Sequence, residues 1–174
     1  GERMIPLTMY EPKVLLRVKG KCLIDHVIDS LPGEIDKIFV VVKYLRTQVM
    51  EHLRKRGDSR IHFVVGSDIG NAESFLATRK HLKDERFLLI YGDEIPTPEN
   101  VRKCVDAGLS ILTFGGNLDG VMVLNTDIFK YEAKNHQFVS MVEQFMKDHK
   151  VKRIAAKHFI GGVNTPKDIE RLNG

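Results

Sequence analysis

Gly1, Arg3 and Lys13 are gathered around two prolines, Pro6 and Pro12, and are followed at once by the apolar run Val14-Leu15-Leu16. Glycine lets backbone N–H groups approach an anion closely, and Arg and Lys supply fixed positive charge for phosphate oxygens. Each proline fixes φ, so the cations sit on a stiffened segment with less freedom to lose on binding. By residue type alone the stretch reads equally well as a solvated segment with scattered charges. A second position with chemistry is Asp93, which follows Gly92 at the end of the apolar run Phe87–Tyr91. In open α/β sheets ligands bind outside the carboxyl ends of strands, and a carboxylate there can join phosphate oxygens around Mg²⁺. The alternative is that Asp93 opens a loop or caps a turn together with Glu94. A third is Asp68-Ile69-Gly70-Asn71, where Gly70 eases a turn and Asn71 is placed to cap the helix that follows. The seven histidines are dispersed, with no pair at helical metal-ligand spacing.

These positions need a scaffold, and the hydrophobic pattern indicates an α/β fold. Three almost wholly apolar runs, Lys37–Val42, Ile61–Val65 and Phe87–Tyr91, recur about every 25 residues and read as strands buried on both faces. Helices fit between and around them: Cys22–Leu31 before Pro32-Gly33, Leu45–Arg56, and Asn71–Leu82. Thr97-Pro98 and Thr165-Pro166 each pair an N-cap residue with a proline preorganised for the first helical position. Further strands are expected at Leu109–Phe114, Gly120–Leu124 and Lys150–Ala156, with a helix over Phe138–Lys147.

At 174 residues with 43% hydrophobic and 29% charged side chains, the chain suits a single domain over 1–174 with one buried core. Cys22 and Cys104, both placed in helices by this pattern, are the only cysteines; a disulfide framework is unexpected and a reduced, cytoplasmic setting is the default. No apolar run approaches the roughly 20 residues of a membrane span. The net charge of +4 suits small anionic ligands, while the dispersal of basic residues argues against nucleic acid as a partner. The pattern leaves room for a homo-oligomer.

The run Gly1-Glu2-Arg3-Met4-Ile5-Pro6-Leu7-Thr8, continuing to Pro12-Lys13-Val14-Leu15-Leu16, resembles the phosphate-gripping signature of the sugar-1-phosphate nucleotidyltransferases, the NDP-sugar pyrophosphorylases. Leu89-Ile90-Tyr91-Gly92-Asp93 resembles that family's strand-Gly-Asp, whose Asp is a metal ligand. Gly70-Asn71 is similar to its base-bordering Gly-Thr, and Asp119–Leu124 to its sugar-side strand. Gly161–Ile169 resembles its closing segment; Gly162 stands at the second acidic ligand, and Asn164 offers a neutral oxygen nearby.

The resemblance implies a three-layer, Rossmann-like nucleotidyltransferase fold, a mostly parallel central sheet flanked by helices. It implies Arg3 and Lys13 as catalytic, phosphate-contacting cations and Gly1, Gly70 and Asn71 as further nucleotide contacts. Gly120 and Asn164 would border the sugar phosphate, and Asp93 with Asn164 would hold Mg²⁺. The implied partners are a nucleoside triphosphate and a sugar 1-phosphate, joined with release of pyrophosphate. On the same comparison the family's first strand and some middle strands are absent from this chain, the latter where Phe114–Gly120 joins two strands directly. Two alternatives stay open. One is nucleotidyl transfer to choline phosphate or a molybdopterin-type cofactor, favoured by Asn164-Thr165-Pro166. The other is a non-catalytic nucleotidyltransferase-like binding module, favoured by Glu2 and Gly162.

Overall fold

The β6–β7 hairpin sets the direction of the larger sheet. Strand β6 (Ser110–Phe114) returns as β7 (Asn117–Asn125) through Gly115 and Gly116, whose φ angles are 57° and 85°. Two consecutive left-handed residues suit glycine and match the right-handed twist of the flanking strands. In this computed structural model, residues 4, 8–83, 86–156 and 162–174 are described. The sheet order is β5-β7-β6-β8, with β5 at Arg86–Ile90 and β8 at Lys152–Ala155. β7 runs antiparallel to both β5 and β6, while β6 and β8 are parallel. The expected mostly parallel sheet is therefore corrected to a mixed one, because the two-residue turn reverses the chain where a crossover helix would have kept it parallel. Helix α4 (Pro98–Ala107) covers one face through Val101 and Cys104, against Leu112, Val121 and Val123. Helix α5 (Phe138–Asp148) covers the other through Phe138, Met141 and Phe145, packed with Ile111, Met122 and Leu124. This gives three layers.

A second, two-stranded ladder pairs β3 (Ile38–Val42) with β4 (Ile61–Val65) in parallel register, Ile38 opposite Ile61 and Val42 opposite Val65. The crossover is α2 (Arg46–Arg56), which buries Val49 and Leu53 in one cluster with Val42 and with Ile24 and Ile28 of α1 (Leu23–Asp29). Helix α2 ends at Gly57, left-handed at φ 73°, with Arg54, Lys55 and Arg56 over its negative end. The two strands are not buried throughout as their composition suggests. Val41 and Val65 are exposed near the carboxyl ends, while their neighbours Val42 and Val64 are buried.

Two helices are shorter than their periodicity predicts. Cys22 closes the small hairpin of β1 (Arg17–Val18) and β2 (Lys21–Cys22) and serves as the N-cap of α1 rather than in its first turn, and α1 stops where the Ser30 hydroxyl donates to the Val27 carbonyl. Helix α3 (Asn71–Leu76) ends before Leu82 because the Thr78 hydroxyl donates to the Phe75 carbonyl, a local bond that competes with helix continuation. The two proline-led caps form as expected. Thr97 accepts from the Asn100 N–H, and Thr165 with Asp168 makes a capping box on α6 (Pro166–Asn173). Helix α6 docks Ile169 and Leu172 on Met4, Leu16, Val18, Leu23, Ile95 and Val163. That docking brings α6 beside Met4 and the β1–β2 hairpin.

Candidate active site

Three segments converge where β5 ends. The first is a single 3₁₀ turn, Lys13–Leu15, led by Pro12 and anchored by buried Leu15. The approach to it is pinned to the α2 region, since the Tyr44 hydroxyl donates to the Met9 carbonyl and Gln48 Nε2 to the Tyr10 carbonyl. The second is the turn after β5, where the Glu94 N–H donates to the Tyr91 carbonyl. Gly92 lets the first segment lie close: a Cβ there would stand 3.3 Å from Val14 Cγ1. The third is Gly162–Asp168, tied to the second by the Val163 N–H donating to the Asp93 carbonyl at 3.0 Å. Asp168 orients it by accepting from the Asn164 and Thr165 N–H groups and the Thr165 hydroxyl. Those donors, first the Asn164 N–H, hold the Asp168 carboxyl below its ordinary range.

Lys13 Nζ lies 2.5 Å from Asp93 Oδ2 and donates to Asn164 Oδ1 at 3.2 Å. A carboxylate and an amide oxygen, from segments far apart in sequence, thus point at one cation. Hard oxygen donors of this kind suit Mg²⁺, which takes one or two carboxylates and fills its remaining positions with phosphate oxygens and water. Asp93, Lys13 and Asn164 are brought together; Gly1 and Arg3 lie outside the described residues.

Glu94 is the group that sequence reasoning does not single out. Burial, reinforced by the charges of Asp119 and Asp93 and opposed by Lys13, pushes its carboxyl up to about 7. Two glycines make its place. A Cβ at Gly120 would stand 2.7 Å from Glu94 Cγ, and one at Gly162 would stand 2.9 Å from Glu94 Oε1 and 3.2 Å from Asn164 Nδ2. The space that a side chain at Gly162 would fill is therefore taken by the Glu94 carboxylate and the Asn164 amide. Gly120, expected at the sugar side, stands against Glu94 and Tyr91 and accepts from the Tyr91 N–H. Asp119 beside it is raised by burial, partly offset because it accepts from the Gly120 N–H. The only sequence signal for Glu94 is its adjacency to Asp93.

Gly70 and Asn71 make their contacts elsewhere, with the segment before α5. A Cβ on Gly70 would stand 2.5 Å from His136 Cβ and 2.7 Å from the His136 carbonyl oxygen. Asn71 does not cap α3: Gly70 is the N-cap, and Asn71 Oδ1 accepts from Phe138 N–H at the start of α5. His136 Nδ1 in turn pairs with Glu73 Oε1 at 2.5 Å. Gly70→Ala is expected to cost about 1–3 kcal/mol by overpacking, lowering Tm by roughly 3–10 °C. An unchanged melting curve would show that the His136 segment yields freely.

Among the described residues no helix is long and apolar enough to cross a membrane. Residues 1–158 match the family described as MobA-like NTP transferase domain. Over 216 aligned positions the chain is 23% identical to the bifunctional protein GlmU of Methanocaldococcus jannaschii, covering 99% of this chain and 51% of that protein. The chain thus spans about half the length of that relative. Over 57 residues it is 46% identical to the N-acetylmuramate alpha-1-phosphate uridylyltransferase of Caulobacter vibrioides, covering 32% of this chain and 24% of that one. The solved structure of the inositol-1-phosphate CTP transferase from T. maritima superposes with a TM-score of 0.77 at 16% identity, covering 96% of this chain and 86% of that one. These likenesses show an α/β nucleotidyltransferase-like fold.

Proposed function

This chain belongs to the MobA-like NTP transferase domain family, and from that premise we propose that it joins a sugar 1-phosphate to a nucleoside triphosphate with release of pyrophosphate. The observation that carries this is the meeting of Lys13 Nζ with Asp93 Oδ2 and Asn164 Oδ1 at the end of a strand. The name of the Caulobacter relative points the same way.

The chemistry asks little of a general base, because the acceptor phosphate oxygen is already an anionic nucleophile. It attacks the α-phosphorus as the bond to the pyrophosphate oxygen breaks, so the protein must align two polyanions and offset their repulsion. Lys13 supplies a positive charge beside the acidic strand end, Arg3 carries the same role by its place in the phosphate-gripping motif, and Gly1 there lets backbone N–H groups approach the phosphates closely. Asp93 and Asn164 would hold Mg²⁺, which when bound would supply positive charge to offset that of the phosphates. Gly70 and Asn71 border the base in this scheme, and Gly120, whose missing side chain leaves room for Glu94, borders the sugar phosphate. A second acceptor class, a non-sugar phosphate, is favoured by the Asn164-Thr165-Pro166 segment and by the name of the T. maritima neighbour.

A thermal-shift panel of nucleoside triphosphates, each with and without Mg²⁺, tests the donor half. One triphosphate is expected to raise Tm, and to do so more with Mg²⁺ present, since a ligand that binds only the native state stabilises it. No shift with any triphosphate would instead support a binding module. Pyrophosphate release on adding a sugar 1-phosphate or choline phosphate then separates the two acceptor classes.

A further inference from the structure

We propose that Cys22, Asp25 and His52 form a second cation site, distinct from the Asp93 cluster and suited to Zn²⁺ rather than Mg²⁺. The Cys22 sulfur, an Asp25 carboxylate oxygen and a His52 ring nitrogen all lie within 4.8 Å of one another. Ligands of a tetrahedral zinc ion sit roughly 3.3–3.8 Å apart, given bond lengths of about 2.0–2.3 Å, so a modest closure of these side chains completes three corners. His52 Nε2 already lies 2.9 Å from Asp25 Oδ2.

The backbone accounts for the convergence. Cys22 ends β2 with extended φ/ψ, and Asp25 follows in the first turn of α1. His52 is carried by α2, which shares a buried cluster with α1. Cys22 is 5% exposed, while the side chains of Asp25 and His52 are 15% and 30% exposed. The cluster is therefore sealed at the sulfur and open at the imidazole, where a water can take the fourth corner.

Donor chemistry selects the metal. Thiolate and imidazole are poor partners for magnesium and good ones for zinc or cobalt. Binding balances simply. The Cys22 thiol releases its proton to solvent as the metal–sulfur bond forms, and the His52 proton moves to Nδ1 so that Nε2 donates its lone pair. The divalent ion with one thiolate and one carboxylate is locally neutral. Arg56, on the same side of α2 one turn on, keeps Asp25 Oδ1 at 3.2 Å and also pairs with Asp29, which holds Lys21 at 2.5 Å.

Cobalt(II) titration of the reduced full chain provides the test. One equivalent is expected to give a thiolate-to-cobalt charge-transfer band, to be displaced by Zn²⁺, and Zn²⁺ is expected to raise Tm. Cys22→Ser should remove the band, and His52→Gln should weaken cobalt affinity at least tenfold. Asp93→Ala should leave the band intact, which separates this site from the nucleotide site. Because Cys22→Ser alters a buried position, His52→Gln provides the second readout. Absence of the band, its survival in folded Cys22→Ser with Cys104 as the sulfur, or unchanged affinity in His52→Gln would each overturn the proposal.

Discussion

Asp93→Ala is expected to reduce pyrophosphate release by about a thousandfold or more, while moving Tm by only a few degrees. The two effects separate because they rest on different atoms of one residue. The Asp93 carbonyl, which accepts from Val163 N–H, survives the substitution, so the link between the β5 turn and the Gly162–Asp168 segment is kept. The lost carboxylate is 32% exposed and its partner Lys13 20%, so their ion pair contributes about 1 kcal/mol or less to stability. Lys13 also retains Asn164 Oδ1. Charge neutralisation at a reacting phosphate is another matter, since losing one preorganised electrostatic partner of a transition state already costs about 10²–10³ in rate. The measurement is pyrophosphate release at saturating triphosphate and Mg²⁺, beside a melting curve. Turnover within tenfold of the parent would remove Asp93 from the chemistry.

Glu94→Gln is expected to stabilise the metal-free protein at pH 8 by about 1–2 kcal/mol and to leave it nearly unchanged at pH 4.5. Glu94 is held at about 7 against an ordinary value of 4.5. The folded protein therefore keeps a proton that the unfolded chain has lost, and between these two values stability falls as pH rises. Below 4.5 both states are protonated and nothing is lost; above 7 both are ionised and the full cost is present. That separation corresponds to at most about 3 kcal/mol, at about 1.4 kcal/mol per tenfold in proton affinity, and partial solvent contact reduces it. Glutamine removes the charge and keeps the shape, so its advantage should appear progressively through that window. Parallel Tm-versus-pH curves in EDTA check this. A constant offset between the two curves would mean that Glu94 titrates normally.

Features governed by neighbours along the chain are legible from residue order alone. Thr97-Pro98 and Thr165-Pro166 start helices because cap and proline act within one turn. The run Ile61–Val65 is a strand with the boundaries that its composition suggests. Asp93 stands out by residue type at a strand end, and its meeting with Lys13 agrees with that placement. What residue order hides depends on approach in space. Glu94 takes its character from Gly120 and Gly162, whose missing side chains reserve room for it, and nothing local to residue 94 reports that. Asn71 has a capping side chain but uses it on α5, because α5 lies within reach only after folding. The doublet Gly115-Gly116 is a hairpin signal in its own right, masked when the flanking strands are assigned to separate regions of a parallel sheet.

The Lys13–Asn164 contact also sets the order of assembly. Lys13 meets Asp93 across 80 residues of chain and Asn164 across 151. Asn164 is steadied by Asp168 in the first turn of α6, and Asn173, in the last, accepts from Lys19 N–H beside the β1–β2 hairpin. The chain must therefore be made through α6 before the Lys13–Asp93–Asn164 cluster is complete, and contacts of such separation form late. Peeling α6 away would take the Asp168 support from Asn164 and leave the Lys13–Asp93 pair as the steadier half.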